Sequence, residues 1–276
     1  MENSPYTFSY LTSGNSKNQA ILFLHGFLGN KNDWQKIINT LSKIFYCVAV
    51  DLPGHGETAT QDNDINYSMQ KCAQGIVDFF EKLKIIKPHL LGYSMGGRLA
   101  WFLAVYYPDK WNKVIIESAT PGIENEIEKR ERLNYDFQFA HRLENENLEL
   151  FLCEWYKQPV FASLNKKKIE ELISLRLNNN PKNLAKALRF MSVGLQPDLW
   201  KKLNYIKSEI LYICGENDKK YRNIAQKMLD CKNSINLKIL ENCGHNCHFE
   251  QPQKFSETVK DFLVEKNNFL FEKDLF

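Results

Sequence analysis

The residue with the clearest chemical potential is a serine that stands among glycines in the run 92–97 (GYSMGG). A serine hydroxyl alone is a poor nucleophile and a poor base, so it needs a histidine and an orienting carboxylate. A short apolar run precedes Ser94 and a helical pattern follows it, which predicts a tight strand-to-helix turn with the hydroxyl exposed above a sheet. The competing interpretation is a glycine-rich loop with an incidental serine. We take Ser94 as the candidate catalytic residue.

The partners of such a serine are expected later in the chain, in the order acid and then histidine. Asp218 and His245 satisfy that order, and each follows a short apolar run. Both are therefore expected at the carboxyl ends of strands, where open α/β sheets place their sites. Glu216 is the rival acid and His248 the rival base. We expect His248 to support the loop or a ligand, and a surface-loop histidine is the competing interpretation of His245.

A second loop offers backbone donors for a developing negative charge. Residues 25–27 (HGF) follow the apolar run 20–24. The backbone N–H groups of Phe27 and Met95 are expected to converge there as an oxyanion hole, in which one donor contributes about 10²–10³ in rate. His25 is expected to hold this loop and not to titrate.

Arginines and aromatic residues are the candidates for binding a substrate. Arg98 lies four residues after Ser94, on the same helix face, where it either faces a cleft or is solvated. Arg132 and Arg176 are candidates for carboxylate binding, because the planar guanidinium matches that geometry. The aromatic cluster of the same segment consists of Trp155, Tyr156 and Phe161. The competing interpretation places the aromatics in an internal core and the arginines on the surface.

The elements that must position these residues alternate along the chain. Segments with helical spacing separate short apolar runs, which are 20–24, 45–50, 88–91, 113–117, 209–214 and 237–240. This alternation predicts an α/β fold, with a mostly parallel sheet flanked by helices on both faces. Residues 120–204 break the pattern because they are helical, charged and aromatic. We predict a core of residues 1–119 and 205–276, with a helical cap (lid) of residues 120–204 inserted after the sixth strand.

Composition argues against several classes of protein. Thirty-six basic and 33 acidic residues leave a net charge of +3, which gives no reason to expect a nucleic acid or a membrane surface as partner. No apolar run approaches the ~20 residues that span a bilayer, and residues 1–11 lack the apolar core of a signal peptide. Seven cysteines without framework spacing favour free thiols in a reducing compartment. We expect a soluble cytoplasmic protein.

A metal site is the alternative use of the cysteines near the candidate histidine. Cys243, Cys247 and His248 are close in sequence. No second Cys/His pair with zinc spacing accompanies them, so we predict no metal site here.

Taken together, the motifs resemble a known family. The runs 24–27 (LHGF), 51–56 (DLPGHG) and 92–98 (GYSMGGR) fit α/β-hydrolases in general. Within the inserted segment, the runs that resemble 2-succinyl-6-hydroxy-2,4-cyclohexadiene-1-carboxylate synthases are 121–123 (PGI), 129–132 (KRER), 155–164 (WYKQPVFASL), 175–180 (LRLNNN) and 196–199 (QPDL). The runs 215–221 (GENDKKY) and 244–250 (GHNCHFE) extend the resemblance over nearly the whole chain.

The resemblance implies a lyase of menaquinone or phylloquinone biosynthesis. Such an enzyme eliminates pyruvate from 2-succinyl-5-enolpyruvyl-6-hydroxy-3-cyclohexene-1-carboxylate, a small tricarboxylate. The triad Ser94, Asp218 and His245 would act as a base on the proton α to the succinyl ketone. The Phe27 and Met95 amides would stabilise the enolate. Neither a metal nor an organic cofactor is implied.

The same resemblance assigns substrate-binding roles. The arginines that would bind the carboxylates are Arg98, Arg132 and Arg176. The residues that would line the pocket are Tyr93, Trp155, Tyr156 and Phe161.

Some features depart from the family pattern. Residues 118–120 (SAT) are more polar than expected, and Glu124 places an acid where an amide would suit. Its carboxylate is expected either to repel the substrate or to pair with Arg132. Residues 266–276 extend past the resemblance and are expected to form a loosely packed tail.

Two other functions use the same fold. An ester or C–C bond hydrolase would share the triad, but a simple ester has no use for three arginines. A non-catalytic receptor is the other alternative. The sequence leaves the oligomeric state open, a monomer included.

Overall fold

Parallel strands dominate the computed structural model, which describes residues 4–231 and 235–264. The strands are β1 (Tyr6–Thr7), β2 (Tyr10–Ser13), β3 (Ala20–Leu24), β4 (Tyr46–Val50), β5 (Ala59–Thr60), β6 (His89–Tyr93), β7 (Lys113–Glu117), β8 (Glu209–Gly215) and β9 (Ile235–Leu240). Seven of them form one sheet in the order β2-β4-β3-β6-β7-β8-β9. β2 is antiparallel to β4, and the remaining neighbours in this sheet are parallel. β1 and β5 pair separately as an antiparallel ribbon.

Helices cover both faces of this sheet. They are α1 (Gln35–Leu41), α2 (Met69–Lys82), α3 (Met95–Tyr106), α4 (Glu126–Asn145), α5 (Leu148–Trp155), α6 (Lys166–Arg176), α7 (Pro181–Phe190), α8 (Lys219–Cys231), α9 (Cys247–Glu250) and α10 (Pro252–Val264). Every residue of β3 and β6 is buried, as expected of parallel strands that are covered on both sides. α2, α3 and α8 pack on one face, and α1 and α10 pack on the other.

The inserted segment is helical throughout its regular elements. Between β7 and β8 the chain forms α4 to α7 and two short 3-10 helices, Pro159–Phe161 and Trp200–Tyr205. Each of the four α-helices follows an asparagine whose side chain accepts backbone N–H groups of the first turn, and these asparagines are Asn125, Asn147, Asn165 and Asn180. Phe151 and Leu184 of the cap share a buried cluster with Leu28, which follows β3. The cap therefore packs on the carboxyl edge of the sheet, where the strands end.

The fold confirms the predicted α/β architecture. The predicted position of the cap after the sixth strand was wrong in its count. The cap follows the strand Lys113–Glu117, which is the fifth in chain order within the large sheet because β1 and β5 stand apart from it. The helix after Ser94 begins at Met95. No helix among the described residues is long and apolar enough to cross a membrane. Residues 266–276, for which we predicted a tail, lie outside the described residues.

Candidate active site

Ser94 lies on a strained turn between β6 and α3. Its backbone has φ 48° and ψ −106°, in a region that side-chain-bearing residues rarely adopt. A Cβ at Gly96 would lie 2.3 Å from the Leu24 carbonyl oxygen, so only glycine permits the close approach of helix and strand. The Ser94 N–H donates to the Glu117 carbonyl oxygen over 2.9 Å. The turn therefore holds the hydroxyl above the sheet, as the glycine pattern predicts.

A continuous hydrogen-bonded chain links the serine to a histidine and a carboxylate. His245 Nε2 lies 3.1 Å from Ser94 Oγ, and His245 Nδ1 lies 2.8 Å from Asp218 Oδ2. The second carboxylate oxygen of Asp218 accepts from the Tyr221 N–H over 3.3 Å. Because Asp218 accepts at Nδ1, the neutral ring presents its lone pair at Nε2 to the serine hydroxyl. This arrangement can take a proton from Ser94 and stabilise the imidazolium that results.

The rival residues are engaged elsewhere. The Glu216 carboxylate accepts from the Asn242 N–H over 3.0 Å. His248 Nδ1 lies 2.7 Å from the Glu117 carboxylate, and the His248 ring is buried. Neither rival belongs to the hydrogen-bonded chain of Ser94. His248 supports its loop, which is one of the two roles that the sequence predicted for it.

The two residues predicted to form the oxyanion hole lie beside the serine at the cavity. Within the described part of the chain, the N–H groups of Phe27 and Met95 donate to no acceptor, and both residues line the cavity with Ser94. His25 Nε2 accepts from the Leu52 N–H over 2.9 Å, while its Nδ1 donates to the Gly26 carbonyl oxygen over 2.7 Å. Burial lowers the pKa of His25, so the ring is neutral. His25 therefore holds the oxyanion loop in place, as expected.

The cavity above Ser94 has two adjoining compartments of about 550 and 390 Å³. The residues that line both are Phe27, Ser94, Glu128, Arg132, Trp155, Lys220 and Tyr221. Tyr93, Phe161 and His245 line the larger compartment. Burial, and then the charge of Glu117, raise the pKa of Tyr93 well above its usual value, so its hydroxyl remains a neutral donor. The two compartments together suit a small, functionalised organic molecule.

Two of the three predicted arginines line this cavity. Arg98 lies in the wall of the smaller compartment, where its Nη1 donates to Gln196 Oε1 over 3.3 Å. Arg132 is held by Asp136 at 2.8 Å, and the buried Asp136 also accepts from the Ser192 hydroxyl. Burial, and then the nearby charge of Arg132, lower the pKa of Arg98 to about 10, so it is protonated at neutral pH. The smaller compartment therefore contains two guanidinium groups on this side, together with the carboxylates of Asp136 and Glu128.

The predicted roles of Arg176 and Tyr156 do not agree with the structure. Arg176 makes a bidentate ion pair with Asp33, with N–O distances of 2.6 and 2.8 Å, and is 5% exposed. Burial alone would lower the pKa of Arg176, but Asp33 and then Tyr156 outweigh it and raise the pKa. Neither Arg176 nor Tyr156 lines either compartment. Arg176 anchors α6 of the cap to the core, because its guanidinium is consumed by a buried carboxylate.

Glu124 also differs from its expectation. Its carboxylate pairs with Lys227 of α8, and Arg132 pairs with Asp136. Glu124 therefore joins the cap to the core at the rim of the cavity.

Several cavity residues were not singled out from the sequence. Lys220 and Tyr221 come two and three residues after Asp218, and the Tyr221 ring lies 4.7 Å from the His245 ring. Their closeness in sequence to the candidate acid Asp218 was the signal that could have placed them in the cavity. Gln196, 2% exposed, bridges Arg98 and the Thr120 carbonyl oxygen. Its run 196–199 carried the resemblance, but nothing in the sequence indicated contact with Arg98.

The cysteines near His245 are buried free thiols. Cys243 and Cys247 are both 0% exposed. No group of three or more His, Cys, Asp or Glu with metal-binding geometry occurs within residues 4–231 and 235–264.

Comparisons with known proteins identify the family. A sequence model of the alpha/beta hydrolase fold matches residues 19–252. The 2-succinyl-6-hydroxy-2,4-cyclohexadiene-1-carboxylate synthase of Escherichia coli O1:K1 / APEC is 36% identical over 233 residues, which cover 84% of this chain and 88% of that protein. The Citrobacter koseri synthase of the same name is 35% identical over 250 residues, 88% of this chain and 93% of that protein.

A solved structure agrees with these relatives. MenH from S. aureus superposes with a TM-score of 0.87 at 32% identity, over 96% of this chain and 100% of that chain. Sequence likeness, fold and the arrangement around Ser94 all point the same way. The chain therefore belongs to the 2-succinyl-6-hydroxy-2,4-cyclohexadiene-1-carboxylate synthase family of the α/β-hydrolase fold.

Proposed function

We propose that the protein is a lyase that eliminates pyruvate from 2-succinyl-5-enolpyruvyl-6-hydroxy-3-cyclohexene-1-carboxylate. The product is 2-succinyl-6-hydroxy-2,4-cyclohexadiene-1-carboxylate, an intermediate of menaquinone or phylloquinone biosynthesis. One observation carries the proposal. The serine of the hydrogen-bonded triad lines the same compartment as two guanidinium groups, those of Arg98 and Arg132. The names of the relatives support the assignment of this reaction.

The triad acts as a base in this proposal. Ser94 passes its hydroxyl proton to His245, and its oxygen takes the proton from the ring carbon α to the succinyl ketone. Asp218 stabilises the imidazolium. The electron pair of the broken C–H bond then occupies the enolate.

Collapse of the enolate completes the elimination. Its electron pair moves through the ring alkene, forms the second double bond and breaks the C–O bond to enolpyruvate. The departing enolate of pyruvate takes, at carbon, the one proton that His245 holds and becomes pyruvate, and this transfer restores the neutral histidine. The reaction consumes neither water nor an oxidant.

The backbone amides of Phe27 and Met95 stabilise the enolate oxygen. Both N–H groups are preorganised by the turn and by His25, so they need not reorganise during the reaction. Because the enolate carries more charge than the ketone, this stabilisation acts chiefly on the transition state.

The basic side chains bind the carboxylates of the substrate. Arg98 and Arg132 offer planar donor pairs that match a carboxylate, and Lys220 adds a point charge. Trp155 and Phe161 enclose the ring with apolar surface. Two guanidinium groups beside the serine are of no use to a simple ester, which favours the lyase over a hydrolase with the same triad.

The test is a pyruvate-release assay on the enolpyruvyl substrate, coupled to NADH oxidation by lactate dehydrogenase. We expect turnover by the wild-type protein and a loss of at least about 10³-fold in Ser94→Ala, the scale of triad losses in other enzymes. p-Nitrophenyl esters are the comparison substrate. Ester turnover without pyruvate release would instead assign a serine hydrolase.

We also propose that the protein acts in the cytoplasm, on this small molecule and without a nucleic-acid partner. The seven free cysteines suit a reducing compartment, and the net charge of +3 is close to balance. Fractionation of the native cells, followed by detection of the protein, tests the compartment.

A further inference from the structure

We propose that Glu117 and His248 form a positioning pair that holds Ser94 and His245 at reacting distance. Neither residue lines the cavity, so neither is a catalytic residue. The inference rests on the proposed role of the triad but not on the identity of the substrate.

Glu117 touches both halves of the catalytic apparatus. It ends β7, and its backbone carbonyl oxygen accepts the Ser94 N–H over 2.9 Å. Its carboxylate accepts twice from His248, over 3.1 Å from the backbone N–H and over 2.7 Å from Nδ1. One residue thus joins the serine turn to the short helix that begins two residues after His245.

His248 lies directly behind the triad. Its ring stacks on Trp34, with centroids 4.3 Å apart and an interplanar angle of 28°. It also meets the edge of Tyr93 at 4.8 Å, and Tyr93 in turn contacts the His245 ring at 5.3 Å. A shift in the position of the His248 ring is therefore transmitted to His245 through the Tyr93 ring.

The burial of this pair is costly and has no counterpart in substrate binding. Glu117 is 0% exposed and His248 is 3% exposed. A buried carboxylate needs donors on its oxygens, and His248 supplies them to both Oε1 and Oε2. Networks of this type select one arrangement of a site, because the alternatives leave buried polar groups unsatisfied. The arrangement selected here is the 3.1 Å contact between His245 and Ser94.

The test compares Glu117→Ala with Glu117→Gln. The glutamine side chain can accept from the His248 N–H and donate to Nδ1 of the other tautomer, so it preserves the geometry without the charge. The alanine side chain preserves neither bond. Each variant is labelled with diisopropyl fluorophosphate, which bonds Ser94 Oγ to phosphorus and releases fluoride while His245 takes the proton. The labelling rate constant reports the reactivity of each folded molecule, and the labelled amplitude reports the folded fraction.

We expect Glu117→Ala to label about 10- to 100-fold more slowly, the scale that a misplacement of about 1 Å costs. Its kcat for pyruvate release is expected to fall by a similar factor, with KM within about twofold of wild type. Glu117→Gln is expected to stay within about threefold of wild type in both measurements. A labelled amplitude that falls at a wild-type rate constant would show that the pair only stabilises the fold, and would overturn the proposal. A loss in Glu117→Gln as large as in Glu117→Ala would also overturn it, because charge would then matter more than geometry.

His89→Gln is the matched control, since His89 is a buried polar residue at the opposite end of the strand that leads to Ser94. It is expected to lower stability and leave the labelling rate constant unchanged. Slower labelling in this control would overturn the proposal, because any buried polar loss in β6 would then act on the serine. Labelling of the wild type without pyruvate release would refute the proposed reaction and leave the positioning pair intact.

Discussion

Arg98→Ala is expected to lower kcat/KM for pyruvate release much more than Arg142→Ala. Arg98 lies one helical turn beyond Ser94, and its guanidinium lines the smaller compartment. Its hydrogen bond to Gln196 engages one of five N–H donors, so the side chain can also bind an anion. Arg142 lies on α4 outside both compartments and pairs with Glu146 four residues later.

The expected loss in kcat/KM follows from the hydrogen bond that Arg98→Ala removes. A hydrogen bond to a charged group contributes about 1.5–3 kcal/mol, so losing one such bond to a carboxylate lowers kcat/KM by about 10- to 150-fold. Arg142 makes an exposed i, i+4 ion pair worth about 0.3–0.5 kcal/mol of stability, and kcat/KM should stay within about twofold. Arg98→Lys is expected to lie between wild type and Arg98→Ala, because it keeps the charge but loses the planar donor pair.

The assay is pyruvate release at varied substrate concentration, with the urea midpoint of each variant measured in parallel. Removing Arg98 leaves Gln196 bonded to the Thr120 carbonyl oxygen, so little change in the urea midpoint is expected. Equal losses of kcat/KM in Arg98→Ala and Arg142→Ala would refute the placement of Arg98 in the binding site. So would an Arg98→Ala protein whose kcat/KM stays within twofold of wild type.

Three further variants test the structure in other ways. Ser94→Gly should be inactive yet more stable in urea by about 1 kcal/mol, because glycine relieves the strain at φ 48°; an unchanged or lower stability would argue against that strain. Arg176→Ala should cost about 3–5 kcal/mol of stability by leaving Asp33 buried without its partner, while KM of the remaining folded protein is unchanged; a raised KM at wild-type stability would restore Arg176 to the binding site. Burial, and then the charge of Lys113, lower the pKa of His89 to about 4. Between pH 6.5 and 4 the unfolded chain therefore binds more protons than the folded protein, and the free energy of unfolding falls as the pH falls through that window. Urea unfolding at pH 7 and pH 4.5 should show that His89→Gln avoids about 2–3 kcal/mol of that loss, and an equal loss in both proteins would contradict the assignment.

Much of the fold was predictable because its signals are local. Buried parallel strands need continuous apolar runs, and the runs 20–24 and 113–117 coincide with β3 and β7. The turn at Ser94 needs small residues at set positions, so its glycines indicate it directly. The order of Ser94, Asp218 and His245 follows from the topology, since each residue comes after a strand whose carboxyl end meets the same edge of the sheet.

Side-chain partners that are distant in sequence were not predictable. Arg176 and Asp33 are 143 residues apart, so a guanidinium suited to a carboxylate ligand gave no sign that a carboxylate of the chain would take it. The Glu124 carboxylate pairs with Lys227 instead of Arg132, and this partner is also too distant in sequence to have been predicted. Residue type determines which bonds a side chain can make, but packing determines which partner is within reach.

The sequence by itself therefore determined the fold class, the serine turn and the chain order of the candidate residues Ser94, Asp218 and His245. Only the tertiary structure decided which arginines face the cavity and what stands behind the triad. The sequence left open whether Arg98 is solvated, and the structure places it in the wall of the smaller compartment with Ser94. Glu117 ends an apolar strand without any local mark of function, and its contact with His248 exists because the cap-bearing strand and the histidine loop meet at one edge of the sheet. A turn such as the one at Ser94 is visible in the spacing of neighbouring residues. Contacts such as Glu117–His248 form only when the whole chain packs.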